Sequence, residues 1–247
     1  MIMTPEAILL AAFIFVMALL YSSVGHGGAS GYLAAMLLFS LPQTVTRPVA
    51  LCLNVVVAGL AAVRFYGAGY FSWRLFLSFA ATSVPFAYLG GMIRLPPIYY
   101  KQVVGAVLLF AAYRLWRFVQ GEATEELREV QVWVALLCGA VLGLLSGLVG
   151  VGGGIFLSPL VLMMRWADVR QASGVAAWFI VVNSIAGLAG SRAEILTLPH
   201  AALLWGAAAF VGGIIGSELG SRRMASKQLR RALAVVLLIA GVKLLLT

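Results

Sequence analysis

The sequence predicts an all-α polytopic membrane protein built from two inverted five-segment repeats, in which glycine-broken half-helices meet near the bilayer midplane. Three observations predict this fold. Of the 247 residues, 63% are hydrophobic and 10% are charged, and the mean hydropathy is +1.04, whereas a soluble domain carries about 25% charged residues. The apolar residues fall into ten segments. A glycine-rich motif occurs twice, at Val24–Ala29 and at Val149–Gly154, 125 positions apart.

The ten apolar segments differ in length. Eight are long enough to cross a bilayer, since a crossing takes about 20 residues at 1.5 Å each. The second and the seventh have twelve residues each, and about 18 Å of helix is too short for a hydrocarbon core of about 30 Å. We therefore expect these two to be half-helices that begin at the glycine motifs. The ten segments are Glu6–Val24, Ala29–Ser40, Thr44–Phe65, Trp73–Ile93, Tyr99–Phe118, Gln131–Val149, Gly154–Arg165, Arg170–Gly190, Pro199–Glu218 and Lys227–Leu246.

The repeat extends beyond the glycine motifs. Asn54 matches Asn183, and Lys101 matches Lys227. Because five segments per half is an odd number, the second half must be inserted upside down. The predicted division is an N-terminal membrane repeat over residues 1–119, an acidic linker over residues 120–130 and a C-terminal inverted membrane repeat over residues 131–247.

Positive charge predicts the orientation in the membrane. The first, second, sixth and seventh segments are taken to reach only the midplane, so that each broken pair returns the chain to the face it left, and the other six segments are taken to cross once. Twelve of the 17 lysines and arginines then fall on one face, whereas counting each broken pair as one span would give a split of ten to seven. Lysine and arginine are retained on the cytoplasmic side, so the face with twelve is inside and both termini are outside. The net charge of +9 therefore follows from topology and does not indicate a nucleic-acid partner. We expect a prokaryotic inner membrane location, with lipid as a partner. The five outer charges are Arg47, Arg94, Lys101, Arg192 and Lys243.

The glycine motifs interrupt apolar runs with residues that a lipid-facing helix disfavours. Non-helical backbone at membrane depth is tolerated where it is packed in protein or lines a water-filled cavity, and paired helix breaks in two halves point to a transporter's binding site. Two facing half-helix N-termini would present N–H groups and partial positive charge, which makes an anion site without a charged side chain. The alternative is that the glycines only allow helices to cross closely. The candidate substrate-binding residues are Gly25, His26, Gly27, Gly28, Ala29, Asn54, Gly150, Val151, Gly152, Gly153, Gly154 and Asn183.

Three of these candidates carry polar side chains, and each has a second interpretation. Asn54 and Asn183 lie deep in their segments, where an amide could donate hydrogen bonds to an oxyanion or bridge two helices. His26 stands opposite Val151 in the repeat. Its imidazole could donate to an anion or carry a proton, or it could cap a neighbouring helix carbonyl.

The acidic residues favour an anionic substrate by their positions. All eight fall in loops or at segment ends, so no core carboxylate is placed to bind Na⁺ or a cationic substrate. A membrane enzyme would need a nucleophile, a metal cluster or an acid–base pair in the core, and two histidines and two isolated cysteines give that little support. We expect no catalytic residue, no metal site and no cofactor. Close helix packing is predicted for two glycine ladders with a spacing of four, Gly139, Gly143 and Gly147, and Gly212, Gly216 and Gly220.

Together these features resemble the TauE/SafE family of sulfite exporters. The resemblance rests on the two glycine-rich breaks, the paired asparagines and the length of 247 residues, and it covers essentially the whole chain. The second motif, followed by Phe156 and Pro159, fits the family pattern. The first motif departs from it, with His26 in place of an apolar residue and Ala29 where a third glycine would stand. The resemblance implies transport of sulfite, sulfonates, sulfoacetate or other small organic anions.

The predicted function is therefore secondary transport of a small sulfur-containing anion, in the direction of export. The sequence has no Walker-type phosphate loop, so the energy must come from a gradient or from a partner. A passive small-anion channel and a transporter of another small organic anion are the alternatives. Association into a homo-oligomer stays open.

Overall fold

The predicted all-α fold is confirmed in a computed structural model. The structure describes residues 5–23, 26–117, 127–191, 198–222 and 227–246. Within these ranges the regular elements are ten helices, and no strand occurs. The helices are α1 Pro5–Ser22, α2 Ala29–Leu38, α3 Gln43–Gly67, α4 Trp73–Met92, α5 Pro97–Arg117, α6 Val132–Val149, α7 Gly154–Met163, α8 Val169–Gly190, α9 Ala201–Arg222 and α10 Lys227–Leu246.

The two short helices fall where the sequence predicts them. Helices α2 and α7 have ten residues each instead of the expected twelve, which is about 15 Å of helix. Each begins at the last residue of its glycine motif. Nine consecutive residues of α2, Ala29–Leu37, are buried, so this helix lies inside the protein and is shielded from lipid.

Six helices among the described residues are long and apolar enough to cross a membrane, and the protein is a multi-pass membrane protein. They are α1, α3, α4, α6, α8 and α9. The sequence led us to expect eight. The remaining two, α5 and α10, have 21 and 20 residues and carry several basic side chains, and their crossing stays a prediction.

The glycine ladders pack two pairs of helices closely, as predicted. A Cβ on Gly139, Gly143 or Gly147 of α6 would strike main-chain oxygens of α4. A Cβ on Gly212 or Gly216 of α9 would strike main-chain oxygens of α1. Close backbone approach of this kind is the usual use of small residues in membrane helices. Gly220 belongs to α9, but nothing is described of its surroundings.

Helix contacts correspond between the two halves of the chain. The contact of α6 with α4 has its counterpart in α1 with α9, and that of α4 with α8 in α9 with α3. Helix α3 packs on its own counterpart α8, and α5 on its counterpart α10. This pattern is what a two-fold repeat requires, while the inversion of the halves and the limits of the two repeats stay predictions. Most of the predicted linker, residues 120–130, lies outside the described residues.

Candidate functional site at two adjacent glycine breaks

The two glycine breaks lie side by side and are joined by one side chain. Asn54 of α3 accepts a hydrogen bond on Oδ1 from the Ala29 N–H at 3.1 Å, in the first break. The same amide donates from Nδ2 to the Val151 main-chain oxygen at 3.1 Å, in the second break. Asn54 is 0% exposed. Two motifs 125 positions apart are therefore brought together around one buried amide.

The glycines leave room for that amide. A Cβ on Gly27 would collide with Oδ1 of Asn54, and a Cβ on Gly152 would lie 2.6 Å from Nδ2 of Asn54. Both added carbons would also crowd Ile180 Cγ2, at 3.2 Å and 2.8 Å respectively. The two breaks thus share one side chain on α3 and one on α8. Neither position can carry a side chain without displacing Asn54.

Each half-helix begins after a glycine in the left-handed region. Gly28 precedes α2 with φ 96°, and Gly153 precedes α7 with φ 76°, a conformation that favours glycine. Neither residue offers a side chain to cap its helix, so the first N–H groups need acceptors from elsewhere. Asn54 supplies one such acceptor, to Ala29. The amide oxygen of Asn54 is therefore the acceptor for the first N–H group of α2.

The second asparagine has a different environment. Asn183 donates from Nδ2 to the Phe179 main-chain oxygen at 2.8 Å, within its own helix. Its Oδ1 and the neighbouring Ser184 Oγ are buried and have no hydrogen-bond partner in the part of the chain that the structure describes. Ser184 Oγ would lie 3.1 Å from a Cβ on Gly152. Ser184 Oγ is therefore a buried polar group beside the second break without a protein partner among the described residues, and such a group costs free energy unless something else binds it.

His26 connects the first break to the second half-helix. Its Nε2 lies 3.2 Å from Oγ of Ser158 in α7. Its main-chain N–H donates a hydrogen bond to the main-chain oxygen of Tyr21 at 2.9 Å. The side chain is half-buried. Gly27 is held next to it, because Tyr32 donates its hydroxyl to the Gly27 oxygen at 2.7 Å. Of the predicted site residues, Gly25 lies outside the described residues.

Arg47 is a residue near the site whose burial the sequence analysis did not predict. It was counted among the charges of the outer face, but the structure places its side chain inside the protein, 0% exposed. Its guanidinium donates to the Ile93 oxygen at 2.8 Å and to the Gly91 oxygen. It also fills the space in front of Gly150, whose added Cβ would lie 3.1 Å from Arg47 Cγ. One signal was available: Arg47 precedes Asn54 by seven residues, two helical turns, which puts both on one face of α3.

An ion pair joins α3 to α9 at the other end of α3. Nη1 of Arg64 donates to Oε2 of Glu218 at 2.6 Å, and both side chains are partly exposed. The sequence analysis gave no partner for either residue. With Arg47 near its first turn and Arg64 near its last, α3 is tied at one end to the end of α4 and at the other end to α9.

Comparison with known proteins gives one family over nearly the whole chain. The model of the family described as Sulfite exporter TauE/SafE matches residues 9–244. The chain is 37% identical to the probable membrane transporter protein y4hK of Sinorhizobium fredii, over 98% of this chain and 100% of that protein. It is 26% identical to the probable membrane transporter protein MJ0441 of Methanocaldococcus jannaschii, over 94% of this chain and 92% of that protein. No solved structure matches the chain.

Proposed function

Since the chain belongs to the Sulfite exporter TauE/SafE family of membrane transporters, we propose that it is a secondary transporter that exports a small sulfur-containing anion. Sulfite, a sulfonate or a sulfoacetate-like molecule is the cargo. The anion binds between the N-termini of α2 and α7. The observation that carries the proposal is the pair of hydrogen bonds by which Asn54 joins the two glycine breaks.

The charge distribution supports an anionic cargo. The buried residues that the structure describes include Arg47 and no aspartate or glutamate. Buried acidic side chains are the usual ligands of cations inside membrane proteins. Two helix N-termini add partial positive charge at the breaks. An anion would therefore be stabilised in this region and a cation would not.

The neutral groups at the breaks suggest how the anion is held. Oδ1 of Asn54 accepts the hydrogen bond of the Ala29 N–H, and an oxygen of an incoming oxyanion would replace Oδ1 as the acceptor. Rotation of the amide would then turn Nδ2 toward the anion, because an asparagine carries a donor and an acceptor on the same carbon. Ser184 Oγ, which has no partner among the described residues, would donate a further hydrogen bond. Gly152 allows the anion to approach the main chain directly.

Counterflow in proteoliposomes tests the function. Vesicles that contain the purified protein and unlabelled sulfite are diluted into labelled sulfite, and the transient accumulation of label is followed. A carrier accumulates label against the total gradient, because inward and outward steps exchange cargo. Flux that obeys the gradient without exchange would indicate a passive channel. Absence of any flux of sulfite, sulfoacetate and methanesulfonate would contradict the proposal.

A further inference from the structure

A concave site lies at the end of α2 that is remote from the first glycine break. A cavity of about 560 Å³ opens where three parts of the chain meet. Its walls come from residues 40–44, in the loop after α2 and the start of α3, from residues 94–101, in the connection after α4 and the first turn of α5, and from the last turn of α10. Nothing in the predicted anion site uses this cavity.

Three basic side chains line the cavity. They are Arg94, Lys101 and Lys243, and none of the lining residues that the structure describes is acidic. The hydroxyl-bearing residues Tyr100 and Thr44 line it as well. Like charges gathered in a concave site repel one another and concentrate positive potential in the cavity. A bound anion would relieve that repulsion and accept hydrogen bonds from ammonium and guanidinium groups.

Topology does not account for this cluster. The predicted outer face carries only five of the 17 lysines and arginines, as the retention of positive charge in the cytoplasm requires. Three of those five line one cavity. Arg94 and Lys101 come from one connection, and Lys243 lies far along the chain, so the fold brings this third charge to the other two.

The cavity is connected to the glycine breaks by hydrogen bonds. Tyr100 donates its hydroxyl to the Val149 oxygen at 3.2 Å, directly before Gly150. Lys243 donates from Nζ to the oxygen of Leu38, the last residue of α2, at 3.3 Å. Since α2 begins at the first break and ends at this cavity, the two sites are separated by about 15 Å of helix. The cavity thus lies between the breaks and the predicted outer surface.

We propose that this cavity is an oxyanion-binding vestibule. The guanidinium of Arg94 and the ammonium groups of Lys101 and Lys243 bind a sulfonate-, sulfite- or phosphate-type group, with the hydroxyl group of Thr44 as an additional partner. The oxyanion comes either from the aqueous phase, as cargo leaving the protein, or from the headgroup of an anionic lipid. Its role in export rests on the proposed function, but its capacity to bind an oxyanion does not.

A cysteine reporter in the cavity measures its potential and occupancy. Thr44 lines the cavity and is exposed, so Thr44→Cys is introduced in full-length protein whose Cys52 and Cys138 are replaced by alanine. The protein is placed in phosphatidylcholine nanodiscs. The rate of modification is compared for two methanethiosulfonate reagents, one with a sulfonate group and one with a trimethylammonium group. We expect the anionic reagent to react about tenfold faster relative to its rate with a free thiol, and the cationic reagent to show no such gain.

Charge variants and competitors identify the source of the oxyanion. Combined replacement of Arg94, Lys101 and Lys243 by glutamine should remove the preference, whereas Arg74→Gln, an exposed arginine outside the cavity, should leave it unchanged. Protection of the reporter by methanesulfonate, at ionic strength matched with chloride, supports a soluble oxyanion. Protection by phosphatidylglycerol in the nanodisc supports a lipid headgroup.

Two results would overturn the vestibule. One is an equal preference for the anionic reagent in the wild-type cavity and in the triple glutamine variant. The other is protection by neither methanesulfonate nor phosphatidylglycerol. Labelling of the cavity requires no flux. A failure of sulfite counterflow would therefore refute the proposed function and leave the labelling result valid, and a failure of the labelling test would leave the counterflow result valid.

Discussion

The side-chain amide of Asn54 donates a hydrogen bond to the main-chain oxygen of Val151 over 3.1 Å, and this bond joins the two halves of the chain at their glycine breaks. Asn54 belongs to the first half and Val151 to the second. The same amide accepts from Ala29 in its own half. Any movement that separates the two breaks must therefore break or re-form a bond of this one side chain. A bound anion that competes for these groups would change how the halves are held together.

Replacing Gly152 by alanine should abolish sulfite binding. The new Cβ would lie 2.6 Å from Asn54 Nδ2 and 3.1 Å from Ser184 Oγ, and Gly152 has φ 76°, which strains any other residue. The methyl group would fill the space between the main chain and these polar groups. We expect sulfite counterflow to fall by more than tenfold and the thermal stabilisation of the protein by sulfite to disappear.

Gly59→Ala is the matched control for this substitution. Gly59 lies on α3 like Asn54, but an added Cβ would meet nothing within 4 Å. Alanine in a helix is favoured over glycine by about 1 kcal/mol, so this variant should transport normally and melt no lower than the wild type. If sulfite stabilises Gly152→Ala against heat as much as it stabilises Gly59→Ala, Gly152 serves only helix packing.

Asn54→Leu should destabilise the protein more than Asn183→Leu. Leucine at position 54 leaves the Ala29 N–H and the Val151 oxygen buried without their partner, and each orphaned group costs about 1–3 kcal/mol. Asn183 gives only one bond, to its own helix, and its Oδ1 has no partner in the described part of the chain. Melting of the purified variants in detergent measures the difference. Equal melting temperatures would contradict the bridging role of Asn54.

Some of this site follows from the sequence, and some depends on tertiary placement. The starts of α2 and α7 are local features. The sequence alone shows the glycines that end one helix and the short apolar run that forms the next. The two asparagines are equivalent in the repeat, yet Asn54 joins the breaks while Asn183 bonds its own helix. The hydrogen-bond partner of each amide depends on the distance between helices that are far apart in the chain. A single sequence does not give that distance.

Arg47 shows the same limitation for a charged side chain. The sequence analysis assigned Arg47 to the outer face and gave it no partner. The structure instead gives it the last carbonyl groups of α4 as acceptors, which lack partners within their own helix. Burial of an arginine is tolerable where such acceptors converge. Their convergence follows from the packing of α3 against the end of α4, which no local pattern encodes.

Arg47→Gln should therefore lower the stability of the protein. Glutamine is shorter and neutral, so the Gly91 and Ile93 oxygens lose charge-assisted hydrogen bonds worth about 1.5–3 kcal/mol each. The exposed Arg74 provides the control, as Arg74→Gln should change the melting temperature little. Thermal unfolding in detergent compares the two variants. Equal melting temperatures of Arg47→Gln and Arg74→Gln would mean that the buried guanidinium does not stabilise the packing of α3 against α4.

The inverted topology predicts which positions face the cytoplasm. In protein lacking Cys52 and Cys138, single cysteines at Ser72 and Lys227 should resist a membrane-impermeant maleimide added to intact cells. A cysteine at Thr44, on the predicted outer side, should react. Opening the cells should make the first two positions reactive, because their protection comes from the membrane alone. Labelling of Ser72 or Lys227 from outside would refute the predicted orientation.

Replacing His26 by glutamine should flatten the pH dependence of substrate binding. The His26 ring lies in the first break, 3.2 Å from Ser158 of α7, so its protonated form would lie near two positive helix ends. That form is disfavoured unless an anion is also bound, and proton and anion therefore bind with mutual help. Because the anion strengthens proton binding, affinity for the anion falls as the pH rises through the range in which the liganded imidazole loses its proton. Glutamine keeps a hydrogen-bonding group and cannot take up the proton, so the affinity of this variant for the anion should stay constant across this range.

Binding is measured with methanesulfonate, whose charge is fixed, and with His200→Gln as the control, since His200 is exposed at the start of α9. A full pH response in His26→Gln would make His26 a structural residue and place proton coupling elsewhere in the protein.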